Sequence, residues 1–325
     1  MKAIQYRVYG PPDVLTLEDV PMPALADDDI LVRVRAASVN PLDFHYLRGT
    51  PYPLRAIAGL ARPKVRGLGA DMAGIVEAVG QNVTRFEVGD EVFGGRNETF
   101  AEYVRLPQDG VVEMKPPNLT FEQAASVPVA AFSALQALRD KARVQASQKV
   151  LINGAGGGVG TFAVQIAKAF GAEVTGVCST AKVDLVRSIG ADHVIDYTKE
   201  NFARNGQRYD AMIDMAGNKS VSECRRILTR NGVLVAVGGP ESGQWISPLM
   251  GPVKLLALSP VVSQRLVPFL AQQRRSDLAV LRQLLVDEKV TPVIDRTYPL
   301  TEVAEAIRYL EEGHATGKVV ITVMD

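Results

Sequence analysis

An apolar run at 150–152 ends in five glycines packed between Gly154 and Gly160. A helix-period pattern starts at once. Val159, Phe162, Ala163, Ile166, Ala167 and Phe170 fall at the i, i+3, i+4, i+7 spacing of one helix face. Gly171 stands where a C-terminal cap belongs. Strand, glycine turn and helix in this order admit few folds. The turn must be tight, the helix must pack hard on the strand, and the helix N-terminus offers unpaired N–H groups to a pyrophosphate.

The best-phased match to G-x-G-x-x-G is Ala155-x-Gly157-x-x-Gly160, with alanine in the first glycine's place. Gly154-x-Gly156 fits the start but puts Val159 where the last glycine belongs. A glycine-rich structural turn is the plain alternative, and the flanks decide. Strands are expected at Glu173–Cys178, His193–Asp196, 210–214 and 232–237, separated by stretches of helix length. Strands alternating with helices imply a parallel sheet with crossover helices. The backbone of Ala155, Gly156, Gly157, Gly158, Val159 and Gly160 is therefore read as a dinucleotide-binding loop.

At 325 residues the chain suits about two domains, and its 47% hydrophobic content supports sizeable cores. Lys plus Arg and Asp plus Glu balance at 36 each, which leaves no electrostatic footprint for nucleic acid. Two cysteines, Cys178 and Cys224, form no disulfide framework and indicate a reducing compartment. Residues 1–7 lack the apolar core of a signal peptide, so a cytoplasmic protein is expected. The most apolar long segment, 246–263, is broken by Pro248, Pro252 and Pro260 and carries Lys254, a poor membrane span.

Residues 1–120 read as a β-rich module. Positions 30–35 alternate as a half-buried strand does, and 88–94 reads as a short strand bounded by turns. The nucleotide unit is placed at 121–272. A helix near 277–288 and strands near 293–298 and 318–323 are expected to return to the first module, making 1–120 with 273–325 one discontinuous domain. A sixth strand is expected at 265–272. Pro268 inside it cannot donate a ladder hydrogen bond, so an edge position follows, and an exposed edge invites pairing with a second copy.

The chain resembles the medium-chain dehydrogenase/reductases, specifically their zinc-free quinone oxidoreductase-like branch. The resemblance rests on Ser38-Val39-Asn40-Pro41-Leu42-Asp43, on Gly69-Ala70-Asp71-Met72-Ala73-Gly74 with Val79-Gly80, on 88–94, on the glycine turn and on the tail Gly313-His314-Ala315-Thr316-Gly317-Lys318-Val319-Val320-Ile321. It implies a chaperonin-10-like β-barrel catalytic domain joined to a six-stranded doubly wound (Rossmann) domain of α/β class. It also implies an active-site cleft between the two and a homodimer formed through the sixth strand.

Alcohol dehydrogenases of this family hold zinc through cysteine, histidine and a carboxylate. Here the first ligand region reads Asn40-Pro41-Leu42-Asp43 and the second Gly69-Ala70-Asp71, with Ala70 in the histidine's place. Zinc-type ligand spacing is missing, so no metal is expected, and Asp71 is read as a structural hydrogen-bonding residue. Without a Lewis acid the favoured acceptors delocalise incoming charge themselves, as quinones and α,β-unsaturated carbonyls do.

An NAD-type site places an acidic residue about 20 positions past the turn. Here Ser179 stands near that position, with Lys182 following. A hydroxyl and an ammonium would bind a 2′-phosphate that a carboxylate would repel, so NADPH is expected over NADH. Lys182 also reads as a solvated helix-end lysine. Tyr197 matches a position where relatives bind the same phosphate, or is a packed loop aromatic. By resemblance, Ser133 lies near the nicotinamide, and Ala216, Gly217, Gly238 and Gly239 end the fourth and fifth strands beside the ligand.

For catalysis, the Asn40 amide would donate to a substrate carbonyl, or caps an Asn-Pro turn. His45 stands where several quinone reductases carry tyrosine and would supply the proton; Tyr46 and solvent are the other candidates. Trp245 and Met250 would wall an apolar substrate pocket, with 54–64 as its other lip, or cover the sheet. The leading expectation is an NADPH-dependent quinone oxidoreductase. Reduction of the C=C bond of enals and enones is the second, and a non-catalytic NADPH-binding sensor the third.

Overall fold

The computed structural model describes residues 1–237, 255 and 262–323. The calls on Gly238, Gly239, Trp245 and Met250 lie outside the described residues. The described chain forms two compact units. One comprises 1–130, 273–287 and 292–325; the other comprises 131–272 and 288–291.

In the first unit, β1 (Lys2–Gln5) pairs antiparallel with β2 (Thr16–Asp19). The larger sheet is organised by the eleven-residue β3 (Asp29–Val39). It pairs antiparallel with β4 (Asp71–Val79), which continues to β5 (Glu91–Gly95), and also with β6 (Tyr103–Pro107). Strand β7 (Val112–Met114) closes on β5. The alternation at 30–35 survives in part: Arg33 and Arg35 are half-buried, while Ile30, Val32 and Val34 are core. The strand expected at 88–94 begins only at Glu91. Gly89 has φ +99° and its amide bonds back to Val76 O, so 88–90 is a turn rather than a strand.

The second unit holds β8 (Lys149–Asn153), β9 (Glu173–Cys178), β10 (His193–Asp196), β11 (Tyr209–Asp214), β12 (Leu228–Ala236) and β13 (Arg265–Pro268). All pair in parallel, in the order β10-β9-β8-β11-β12-β13. Strand order reverses between β8 and β11, the switch point beyond whose carboxyl ends ligands bind in such sheets. The sixth strand is shorter than expected and stops at Pro268, which lies opposite Ala236 at the end of the sheet. A core of Leu151, Val177, Met212, Leu234 and Leu266 lies to one side of this sheet.

Strands β14 (Ile294–Pro299) and β15 (Lys318–Thr322) belong to the first unit, where β15 pairs antiparallel with β3. The helix Val303–Glu311 supplies Val303, Ala306 and Ile307 to the core that also buries Leu47 and Phe100. Among the described residues no helix is long and apolar enough to cross a membrane.

Candidate functional site

The glycine turn is built largely from absent side chains. Gly154 has φ +89°, and its amide and that of Ala155 both donate to Val177 O (3.1 and 3.0 Å). Gly157 N returns to Gly154 O at 3.1 Å, and Thr161 N to Gly157 O opens the helix Gly158–Ala169. The amides of Gly158, Val159 and Gly160 are thereby the orphan donors of a twelve-residue helix. A Cβ on Gly160 would lie 2.0 Å from Gly154 O and 2.8 Å from Ala155 C. A Cβ on Gly157 would meet nothing nearer than 3.5 Å, which leaves an open cradle at the helix entry. The glycine that makes the left-handed turn is Gly154, while the Ala155 side chain is fully buried and sits where a Cβ on Gly176 would touch it at 3.0 Å. A glycine directly before the frame was the available signal.

Three expected 2′-phosphate residues converge past the carboxyl ends of β9 and β10. Cys178 and Asp196 are in register, Tyr197 N donates to Cys178 O at 3.0 Å, and Ser179 precedes the turn that carries Lys182. The Lys182 stem lies over Gly156, where a Cβ would meet its Cδ at 2.7 Å, so Lys182 belongs to the rim of the glycine turn. Tyr197 is half exposed, at 52%. A carboxylate the sequence reading did not weigh, Asp196, sits beside them. It accepts from Thr180 Oγ1 (2.6 Å), Thr198 Oγ1 (2.7 Å) and Thr198 N (3.0 Å), and these donors hold it well below the usual carboxylate range.

At the switch point, Asn153 Nδ2 donates to Asp214 Oδ1 (2.8 Å) and to Asn218 Oδ1 (3.0 Å). Asp214 Oδ1 also accepts from Gly217 N (3.0 Å), where Gly217 turns at φ +60° next to Ala216. Burial raises the Asp214 carboxyl above its ordinary value. Ser133 lies on the helix Pro128–Gln136 and is 8% exposed.

The first unit contains a buried polar cluster that spacing did not reveal. Asp71, wholly buried, accepts from Ser38 Oγ (2.8 Å), Asn40 Nδ2 (2.8 Å) and Val129 N (2.9 Å). Lys318, 3% exposed, donates to Asn40 Oδ1 (2.6 Å) and Val39 O (3.3 Å), with Asp71 Oδ2 at 3.7 Å. Asp43 accepts from Asn40 N (2.7 Å) and Gly69 N (3.0 Å). Burial, reinforced by the Asp71 charge, pushes Asp43 up to about 7 against those amide donors and Lys318. Desolvation likewise raises Asp71 and lowers Lys318.

This cluster corrects one expectation. The Asn40 amide does not face a substrate carbonyl: it donates to Asp71 and to Ser38 O (3.3 Å), its oxygen takes the lysine, and the residue is 2% exposed. Asn40 is a positioning residue that starts the helix Pro41–Arg48. His45, half-buried on that helix, directs Nδ1 at Thr50 O (3.0 Å). A carbonyl only accepts, so Nδ1 carries the hydrogen of this bond.

The same positions fail as a zinc site. Asp43 and Asp71 have their oxygens occupied by N–H and O–H donors, and Ala70 brings no ligand atom. Cys178 and Cys224 lie in the other unit, with burial pushing their thiols up to about 11 and about 12. Among the described residues no three His, Cys, Asp or Glu side chains gather around a metal position.

Beside this cluster the first unit has a cavity of about 200 Å³. Tyr6, Leu42, Tyr46, Ile57 and Leu68 line it, with Asp43 as a buried polar group in the lining. Tyr46 thus reaches a cavity, whereas Asn40 does not line it.

A β-rich unit of the GroES-like kind and a second unit with a parallel six-stranded sheet and a glycine turn at its switch point define a two-unit dinucleotide-type oxidoreductase fold. The chain matches the alcohol dehydrogenase GroES-like domain over 26–116 and a family described as zinc-binding dehydrogenase over 189–321. It is 34% identical to 2-methylene-furan-3-one reductase of Solanum lycopersicum, over 99% of this chain and 79% of the relative. It is 33% identical, over the same shares, to the chloroplastic NADPH-dependent alkenal/one oxidoreductase of Arabidopsis thaliana. Its structure matches the quinone oxidoreductase from Coxiella burnetii at TM-score 0.86 and 32% identity, covering 100% of this chain and 99% of that one. The chain belongs to the medium-chain dehydrogenase/reductases, in their quinone oxidoreductase branch, and is an oxidoreductase. Among the described residues no group of three His, Cys, Asp or Glu side chains is placed to hold the zinc of the second family's description.

Proposed function

We propose that the protein uses NADPH to reduce a quinone without a metal. The observation that carries this reading is the state of the Asp43, Ala70 and Asp71 positions, where both carboxylates are engaged by N–H and O–H donors and alanine brings no ligand atom. A quinone needs none, because its ring delocalises the charge that arrives. Ser179, Lys182 and Tyr197 at one corner, on the rim of the Gly156 turn, support a 2′-phosphate on the cofactor. The open cradle at Gly157 and the orphan amides of Gly158, Val159 and Gly160 fit a pyrophosphate. When bound, the nicotinamide supplies the hydride. The chain's own part is to hold the nucleotide at this turn, with Ala155, Gly156, Ala216, Gly217 and Ser133 as further contacts, and to provide a proton. His45 Nε2 and the Tyr46 hydroxyl are the groups proposed for that proton.

A second acceptor class, α,β-unsaturated aldehydes and ketones, draws support from the names of the tomato and Arabidopsis relatives. We read β13, at the end of its sheet, as the edge through which two copies pair, and the cell compartment as cytoplasmic. The decisive experiment is oxidation of NADPH and NADH against a panel of quinones, enals and enones. Turnover with quinones and NADPH is expected. Faster enone than quinone turnover would move the assignment to the second class, and tight NADPH binding without any turnover would make the protein a sensor. In the same assay Lys182→Ala should weaken NADPH by roughly 10- to 100-fold and NADH little, as loss of one charge-assisted bond requires. Equal loss of both would remove Lys182 from the 2′-phosphate site.

A further inference from the structure

We propose that the segment 54–66 of the first unit docks on an anionic lipid surface and draws its acceptor from there. The proposal deepens the acceptor reading above and rests on it. From residue 44 to residue 70 the chain has no Asp or Glu but has Arg48, Arg55, Arg62, Lys64 and Arg66, within a sequence whose charges balance overall. Arg48 is paired with Glu311, and the Arg55 guanidinium stacks between Tyr9 (4.5 Å) and Tyr52 (4.9 Å). Arg62, Lys64 and Arg66 are exposed. Among them stand two of the most exposed large apolar side chains of the described residues, Ile57 at 74% and Leu60 at 77%.

The segment is braced in this posture. Tyr9 Oη donates to Gly59 O (2.6 Å), Arg55 Nε to Gly49 O (2.9 Å) and Lys64 N to Ala58 O (2.8 Å). Apolar side chains held outward among cations, with no acid between residues 44 and 70 and Glu98 engaged on Gly67 N (3.3 Å) at the segment's end, match a bilayer interface: hydrocarbon for Ile57 and Leu60, headgroup phosphates for the cations. Ile57, Ala58, Lys64 and Val65 also line the 200 Å³ cavity. Docking would therefore bring the cavity mouth to the depth at which lipid-soluble quinones reside.

The test is flotation of the full chain with phosphatidylcholine vesicles, with and without phosphatidylglycerol. Binding is expected only with the anionic lipid and should fall with added salt. Each Lys or Arg near such a surface contributes about fivefold in partition, so Arg62→Gln with Arg66→Gln should lower it roughly 25-fold. Leu60→Ser should lower it about tenfold or more. Leu270→Ser, at a site 85% exposed on the second unit, should change nothing. No flotation, equal flotation with uncharged vesicles, or an unaltered Arg62/Arg66 variant would overturn the proposal. So would a dimer in sedimentation that Leu60→Ser dissolves while lipid binding is absent, since the patch would then cover a second copy. NADPH oxidation by a short-chain quinone without vesicles separates the two readings. Turnover without flotation removes the docking alone, and flotation without turnover removes the acceptor assignment alone.

Discussion

The glycine turn of the second unit and the polar cluster of the first solve opposite problems. The turn works by leaving atoms out: Gly154 takes a left-handed φ, Gly160 makes room for the Gly154 and Ala155 backbone and Gly157 leaves open space, and its ligand-facing chemistry is amide groups. The cluster works by burying charge: two carboxylates and an amine share one site closed to bulk solvent and hold Asn40 between them. Added volume should therefore damage the first, and changed charge the second. The largest effect expected is at Lys318. Lys318→Met leaves Asp71 buried without its cation, and breaking such a pair costs about 3–5 kcal/mol. Urea unfolding should show it, and a loss below about 1 kcal/mol would mean that hydrogen bonds alone hold the cluster.

Gly160→Ala is the matching insult to the turn. Its Cβ would sit 2.0 Å from Gly154 O, an atom of the backbone that cannot rotate away. Overpacking of this kind costs about 1–3 kcal/mol and displaces the loop. Thermal unfolding should register the cost, and calorimetric titration should show NADPH affinity lost with it. A variant that keeps both would show that helix and turn can separate without consequence.

The two regions also differ in how far they could be read from sequence. The turn and its flanking strands are local: strand, glycines and helix occupy twenty-odd consecutive positions, and hydrophobic period reports them directly. Where local reading differs from the structure it differs in extent: in the first unit the left-handed Gly89 delays β5 to Glu91, and in the second β13 stops at Pro268. The cluster is non-local. Ser38 and Asp71 are 33 positions apart, and Asn40 and Lys318 are 278 apart. No periodicity joins them; only the antiparallel pairing of β3 with β4 and β15 does. For that reason Asn40 was open to a substrate-facing role until its partners were known, and Lys318 passed as part of a tail motif.

Charge in the cluster also makes a claim about pH. Asp43 titrates near 7 in the folded chain, against 3.8 ordinarily. Between those values the folded state keeps a proton that the unfolded state has released, so this group's contribution to stability falls as pH rises from about 4 to about 7 and is level above that. Asp43→Asn loses an acceptor for one of the two backbone amides, at a cost of about 1–3 kcal/mol, but removes the slope. Chemical denaturation at about pH 5 and about pH 8 should therefore show a smaller difference between the two conditions in the variant than in the wild type. An unchanged difference would place the titration elsewhere in the cluster.

The smallest expected change in stability isolates shape from folding altogether. Gly157 has φ −93°, which any residue adopts, and a Cβ there meets only Gly154 O, at an ordinary 3.5 Å. Gly157→Ala should thus unfold within about 0.5 kcal/mol of the wild type. Yet the added methyl would stand in the cradle at the helix entry, where a pyrophosphate has to approach the backbone. NADPH and NADH should both bind more weakly, by a similar factor, because the pyrophosphate is common to them. Lys182→Ala is expected to separate the same two cofactors. A Gly157→Ala protein that folds normally and binds NADPH as the wild type does would show that the open space at Gly157 is not where the phosphates lie, and the turn would then be a packing device between β8 and its helix.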